Sequence, residues 1–149
     1  MNKPITRKEL FDLIKTNQDI TQVNTSKVIN MSYMFYGARL FNQDISNWNT
    51  SRVTNMNFMF FGAKSFNQDI SSWDVSNITD MSYMFRYAKS FNQDISKWNV
   101  SKVTNMTSMF NNAYSFTKDI SNWNVSNIKN ELNFFIKNNT TFRSSILFD

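Results

Sequence analysis

The sequence contains no cysteine and no histidine, and only one proline and two glycines in 149 residues. Without cysteine there is no disulfide, no thiol nucleophile and no thiolate metal ligand. Without histidine the commonest general base and the commonest transition-metal ligand are missing too. The chain is therefore expected to be non-catalytic, with no cofactor and no metal site. So little proline and glycine argues against a linker or a disordered tail. No stretch approaches the ~18 apolar residues of a membrane span. Met1 to Ile20 alternates charged and apolar residues, where a secretory leader would carry a run of about 7–15 apolar ones. With no lipidation cysteine either, the chain as written reads as cytoplasmic. A chain trimmed of a leader would look the same and would belong at a surface.

What is present is large and apolar: 15 Phe, 9 Met and 4 Trp supply side chains to bury. They recur at fixed places. Phe-Asn-Gln-Asp-Ile-Ser begins at Phe41, Phe66 and Phe91, and a variant, Phe-Thr-Lys-Asp-Ile-Ser, begins at Phe116. Trp48, Trp73, Trp98 and Trp123 keep the same 25-residue step, as do Met56, Met81 and Met106, and Met59, Met84 and Met109. A degenerate copy lies upstream, with Val23 where Trp is expected, and the last copy decays after Ile128. Arrays commonly have atypical ends, because a terminal copy must cover the open core. The division this implies is a capping helix over 1–16, repeats over 17–135 and a C-terminal cap over 136–149, all in one domain.

Within a copy, Met56, Met59, Phe60 and Ala63 have the spacing of one helical face. Asn55, Asp80 and Asn105 stand where a side-chain oxygen can cap a first turn. A short helix is expected there. A strand of three or four residues is expected around Asp44 to Asn47, with Ile45 inward. Stacked copies would then give an α/β repeat: a solenoid of about five coils, with short parallel strands on one face and short helices on the other. At the N-terminus, Thr6 and Glu9 suit a capping box on a helix that begins near Ile5.

The unit Phe-Asn-Gln-Asp-Ile-Ser-x-Trp-Asn/Asp-Val/Thr-Ser-x-Val/Ile-Thr-Asn/Asp-Met-x-x-Met-Phe-x-x-Ala resembles the repeat of the BspA-like, leucine-rich-repeat-related surface proteins, over about four-fifths of the chain. That resemblance implies a leucine-rich-repeat-like curved solenoid and a role in protein binding, or in adhesion to host cells or matrix. Many members of that family are surface lipoproteins.

Several columns invite a functional reading. Asp44, Asp69, Asp94 and Asp119, with Asp19 upstream, would stack as like charges. At ~5 Å and an effective dielectric of ~20, each pair would repel by roughly 3 kcal/mol. Either the carboxylates accept backbone N–H bonds in turns, or the column binds a cation or a basic partner. Asn42-Gln43, Asn67-Gln68 and Asn92-Gln93 either satisfy backbone groups between copies or form a polar binding stripe. Arg39, Lys64 and Lys89 form a basic column, which with nearby aromatics could follow a phosphate backbone. The net charge of +5 is scattered, however, and a solvated edge is the plainer account. The Trp column reads as core. Positions that differ between copies are the better contact candidates: Tyr33, Phe58, Tyr83 and Ser108; Tyr36, Phe61, Arg86 and Asn111; and Asn57, Ser82 and Thr107. The partner sites singled out are the four Asp residues with Tyr33, Phe58, Tyr83, Phe61 and Arg86. The expected partner is another protein, bound by a monomer, with nucleic acid as the lesser alternative.

Overall fold

A computed structural model of the protein describes residues 3–129. The expected cap over 136–149 and the end of the repeat region, up to 135, lie outside the described residues.

The chain opens with helix α1, Arg7–Lys15. Its start is fixed by a reciprocal capping box. The Thr6 hydroxyl accepts the Glu9 N–H at 3.2 Å, and the Glu9 carboxylate accepts the Thr6 N–H at 2.7 Å. Leu10 is buried, and Leu13 and Ile14 pack against the same core. No other helix and no strand occurs among the described residues. The α/β arrangement, with parallel strands at Asp44 to Asn47 and helices at Thr54 to Ala63, is therefore overturned, and with it the leucine-rich-repeat-like layout.

In its place each copy is a series of tight turns, and the copies lie on one another in register. In the stretch expected to be helical, the N–H groups of Met34, Tyr36 and Ala38 reach back only three residues, to the carbonyls of Met31, Tyr33 and Phe35. The alternate N–H groups leave the copy altogether. Those of Met31, Tyr33, Phe35 and Gly37 donate to the carbonyls of Asn55, Asn57, Met59 and Phe61 in the next copy, at 2.7–3.0 Å. The pattern recurs from Met56 to Asp80 and from Met81 to Asn105. An α-helix would need every N–H to bond four residues back. Tyr33, Phe58, Tyr83 and Ser108 also sit at φ of 52–59°, in the left-handed region that a helix interior excludes. Among the described residues the only ladder pairing is a set of isolated parallel bridges, Asn30 to Asn55, Asn55 to Asp80 and Asp80 to Asn105, with Pro4 to Asn24 at the edge. The Asp44 to Asn47 stretch takes no part in it.

The repeating apolar side chains fill the interior as columns. Phe35, Phe60, Phe85 and Phe110 stack with centroids 5.3–5.5 Å apart. Phe41, Phe66, Phe91 and Phe116 stack beside them at 5.8–6.0 Å. The two columns touch ring to ring within each copy, at 3.9–4.1 Å. The methionines at 31, 56, 81 and 106 and at 34, 59, 84 and 109 are buried in the same core. Their flexible thioethers suit gaps between flat rings.

The tryptophans are buried and bonded. Each indole N–H donates to the carbonyl of the isoleucine 28 residues earlier: Trp48 to Ile20, Trp73 to Ile45, Trp98 to Ile70 and Trp123 to Ile95, at 3.1–3.2 Å. This explains Val23. An indole at that position would find no earlier copy to receive its proton, and a buried indole N–H without an acceptor is costly. The open face of the first copy is closed from the other side. Arg7 donates from Nε to the Asn30 carbonyl at 3.1 Å and from Nη2 to the Ser32 carbonyl at 2.7 Å. In later copies those carbonyls are taken by main-chain N–H groups of the preceding copy.

Trp73→Phe tests the indole bond directly. It leaves the Ile45 carbonyl with the Trp48 N–H alone and a small void where the indole lay, and is expected to cost about 2 kcal/mol in urea unfolding. A loss well under 1 kcal/mol would mean that the bond holds nothing together.

Candidate functional site

The aspartate column is built from turns. The carboxylates of Asp19, Asp44, Asp69, Asp94 and Asp119 accept the N–H two residues on, from Thr21, Ser46, Ser71, Ser96 and Ser121, at 2.9–3.0 Å. These bonds hold the carboxyls below the usual range. For Asp19, Asp44, Asp69 and Asp119 the backbone N–H is the larger cause and the hydroxyl of the same residue follows, while for Asp94 the Ser96 hydroxyl leads. Mutual repulsion opposes this only at Asp69, from Asp44 and Asp94, and ranks below both hydrogen bonds. The carboxylates are exposed, so water screens them toward the ~1 kcal/mol limit of bulk solvent. In the last described copy Lys118 replaces the usual glutamine and helps to hold Asp94 ionised.

The same turn recurs at two further places per copy. Asn49 and Asp74 bind Ser51 and Ser76, and Asn30, Asn55, Asp80 and Asn105 bind Ser32, Asn57, Ser82 and Thr107. Asn55, Asp80 and Asn105 thus close turns where helix caps were expected. The Asn42, Asn67 and Asn92 amides accept the N–H of Asn67, Asn92 and Thr117, each tying one copy to the next at 2.9–3.0 Å. The aspartate and asparagine columns therefore have a structural task. Among the described residues no three acidic side chains come together as a metal cluster.

The aromatic columns at the variable positions differ, because packing does not account for them. Tyr33, Phe58 and Tyr83 stack outside the core, with centroids at 4.8 and 4.5 Å and planes within 16° of parallel. A second column, Tyr36 and Phe61, stacks beside them at 4.8 Å. Tyr33 and Tyr36 are about half exposed and Phe58, Phe61 and Tyr83 are partly covered by one another. Tyr87 closes the second column edge-on to Phe61 at 5.5 Å. Arg86 lies over both Tyr83 and Tyr87, at 5.5 and 5.1 Å from the ring centres. Tyr33, Phe58, Tyr83, Phe61 and Arg86 are thus brought together on one face, and none of the aspartates of the column bonds to them.

Tyr87 was not legible as part of this face, although a signal existed. It stands where earlier copies have Gly37 and Gly62, and all three share a φ of 62–69°. A bulky residue in the left-handed region costs on the order of 1–2 kcal/mol, and such strain collects at functional positions. Tyr33, Phe58 and Tyr83 carry the same strain.

Two outcomes follow. The lowered aspartate carboxyls contribute stability above about pH 4, where unfolded carboxylates ionise, and lose it as pH falls through their folded values. Asp44→Asn, Asp69→Asn and Asp94→Asn together keep the turn, as Asn49 does, but lose the charge on its acceptor, so thermal melts should lie slightly below wild type at pH 7, approach it at pH 3 and be flatter in between. Tyr87→Gly restores the glycine of earlier copies, and its melting temperature should equal or exceed wild type. A clear loss would show that the ring is needed for packing.

Residues 6–98 and 70–147 match, as two overlapping segments, the family model described as Mycoplasma protein of unknown function, DUF285. No curated protein and no solved structure matches the chain. The likeness to BspA-like repeats is one of motif and is not what the family match names. Between them the two segments span nearly the whole chain, which belongs to the repeat-containing Mycoplasma family of unknown function DUF285.

Proposed function

We propose that the protein is a non-catalytic binding module for another protein, and that the face of Tyr33, Phe58, Tyr83, Tyr36, Phe61, Arg86 and Tyr87 makes the contact. One observation carries the reading. Partly exposed aromatic columns, one of them (Tyr33, Phe58 and Tyr83) on strained backbone, sit at the positions where the copies differ, outside an interior already filled by identical residues. Aromatic and arginine side chains are the residues that carry binding energy in protein interfaces. Low rotamer freedom and stacking hold these rings in place before a partner arrives, which lowers the ordering cost of association. The sequence likeness to BspA-like proteins supports the same class of function.

Ser108 shows that serine is compatible with the left-handed position. A Tyr33→Ser, Phe58→Ser, Tyr83→Ser variant should therefore fold, with circular dichroism like that of wild type. Immobilised, it should fail to retain the proteins that wild type captures from host extract, while the Asp44→Asn, Asp69→Asn variant retains them. Equal retention by the serine variant would place the contact elsewhere.

A further inference from the structure

We propose that Arg86 is a receptor for a carboxylate, so that the partner presents an acidic peptide to this face; the inference rests on the binding reading above and names its chemistry. Arg86 is partly buried, and its Nε is fully buried with no hydrogen-bond partner among the described residues. Among the described residues the guanidinium makes one hydrogen bond, from Nη2 to the Tyr87 hydroxyl at 3.4 Å. The one ion pair among the described residues is Lys8 with Asp12, within α1. A guanidinium carries five donors and accepts nothing. Leaving the buried Nε–H unpaired is costly, and a carboxylate that draws the guanidinium outward removes that cost by bonding two N–H groups at once.

The rings beside it favour the same ligand. Along Tyr33, Phe58 and Tyr83 the faces are turned toward one another, so ring edges meet the solvent. Aromatic edges carry partial positive charge. Tyr33, Tyr83 and Tyr87 add phenolic donors, and Arg39, Lys64 and Lys89 follow three residues after Tyr36, Phe61 and Arg86 in each copy. The one carboxylate nearby in the chain, Asp80, is engaged by the Ser82 N–H at 2.8 Å and faces the Asn57 amide at 3.5 Å. The face offers donors and the positive charge of Arg86, which complement carboxylates. It offers few free ring faces on which a nucleobase could stack, the contact that holds single-stranded nucleic acid to aromatic surfaces.

The test uses the full chain with two labelled probes, an oligoglutamate peptide and an oligothymidylate of equal charge, read by fluorescence anisotropy. Arg86→Asn is the variant, since Asn111 holds the same place in the next copy. Wild type should bind the peptide more tightly than the oligonucleotide. The substitution should weaken peptide binding about tenfold, equivalent to about 1.4 kcal/mol, and Arg86→Lys should recover only part of that, because an ammonium lacks the planar fork. In the unsubstituted protein, the Nε–H resonance of Arg86 should move on titration with the peptide. Unchanged affinity in Arg86→Asn, a silent Nε–H, or tighter binding of the oligonucleotide would each overturn the proposal. If that happens while the serine variant still loses its captured proteins, the face stands and only the acidic partner falls.

Discussion

Everything in this molecule depends on main-chain N–H groups that leave their own copy. In the stretch after each Asn30-type residue, alternate N–H groups close a turn and bond to the next copy. A chain with this division of labour cannot be helical, and it cannot stand as a single copy, because half of its donors would face open solvent or an apolar neighbour. The indole bonds add a second tie in every described copy after the first, reaching back 28 residues. The stacked rings then fill what these bonds enclose. The polar columns serve the same end, since asparagine and aspartate side chains take up N–H groups that the main-chain pattern leaves over.

That arrangement separates two kinds of position. Inward residues are held fixed by packing, which is why Met, Phe, Ile and Trp recur unchanged. Outward residues are free to differ, and on one face they have become aromatic and basic in the early copies and polar in the later one, where Ser108, Asn111 and Asn112 stand. The face therefore has a limited length set by sequence and not by the number of copies. Left-handed positions set the direction in which Tyr33, Phe58, Tyr83 and Tyr87 project.

The period, the inward residues and the capping box were legible because each rests on spacing or on a local side-chain pattern. The backbone was not. Met56, Met59, Phe60 and Ala63 are spaced as one helical face, and a chain of overlapping turns places the same residues inward at the same intervals. Gly37 and Gly62 were the clue that separates the two, since a left-handed residue ends a helix and continues a turn series. The expected strand failed for a related reason: the Asp44 to Asn47 stretch spends its hydrogen bonds on side chains and leaves no ladder to pair. The aromatic face could be picked out from variation between copies at Tyr33, Phe58, Tyr83, Phe61 and Arg86. Tyr87 was hidden because it occupies what earlier copies make a glycine.

The indole bonds all point toward the N-terminus. Each new copy completes its tryptophan contact only on a copy that the ribosome has already released, and α1 with Arg7 is made before any of them. The array is thus suited to zip up in one direction during synthesis, each finished copy serving as the template for its successor.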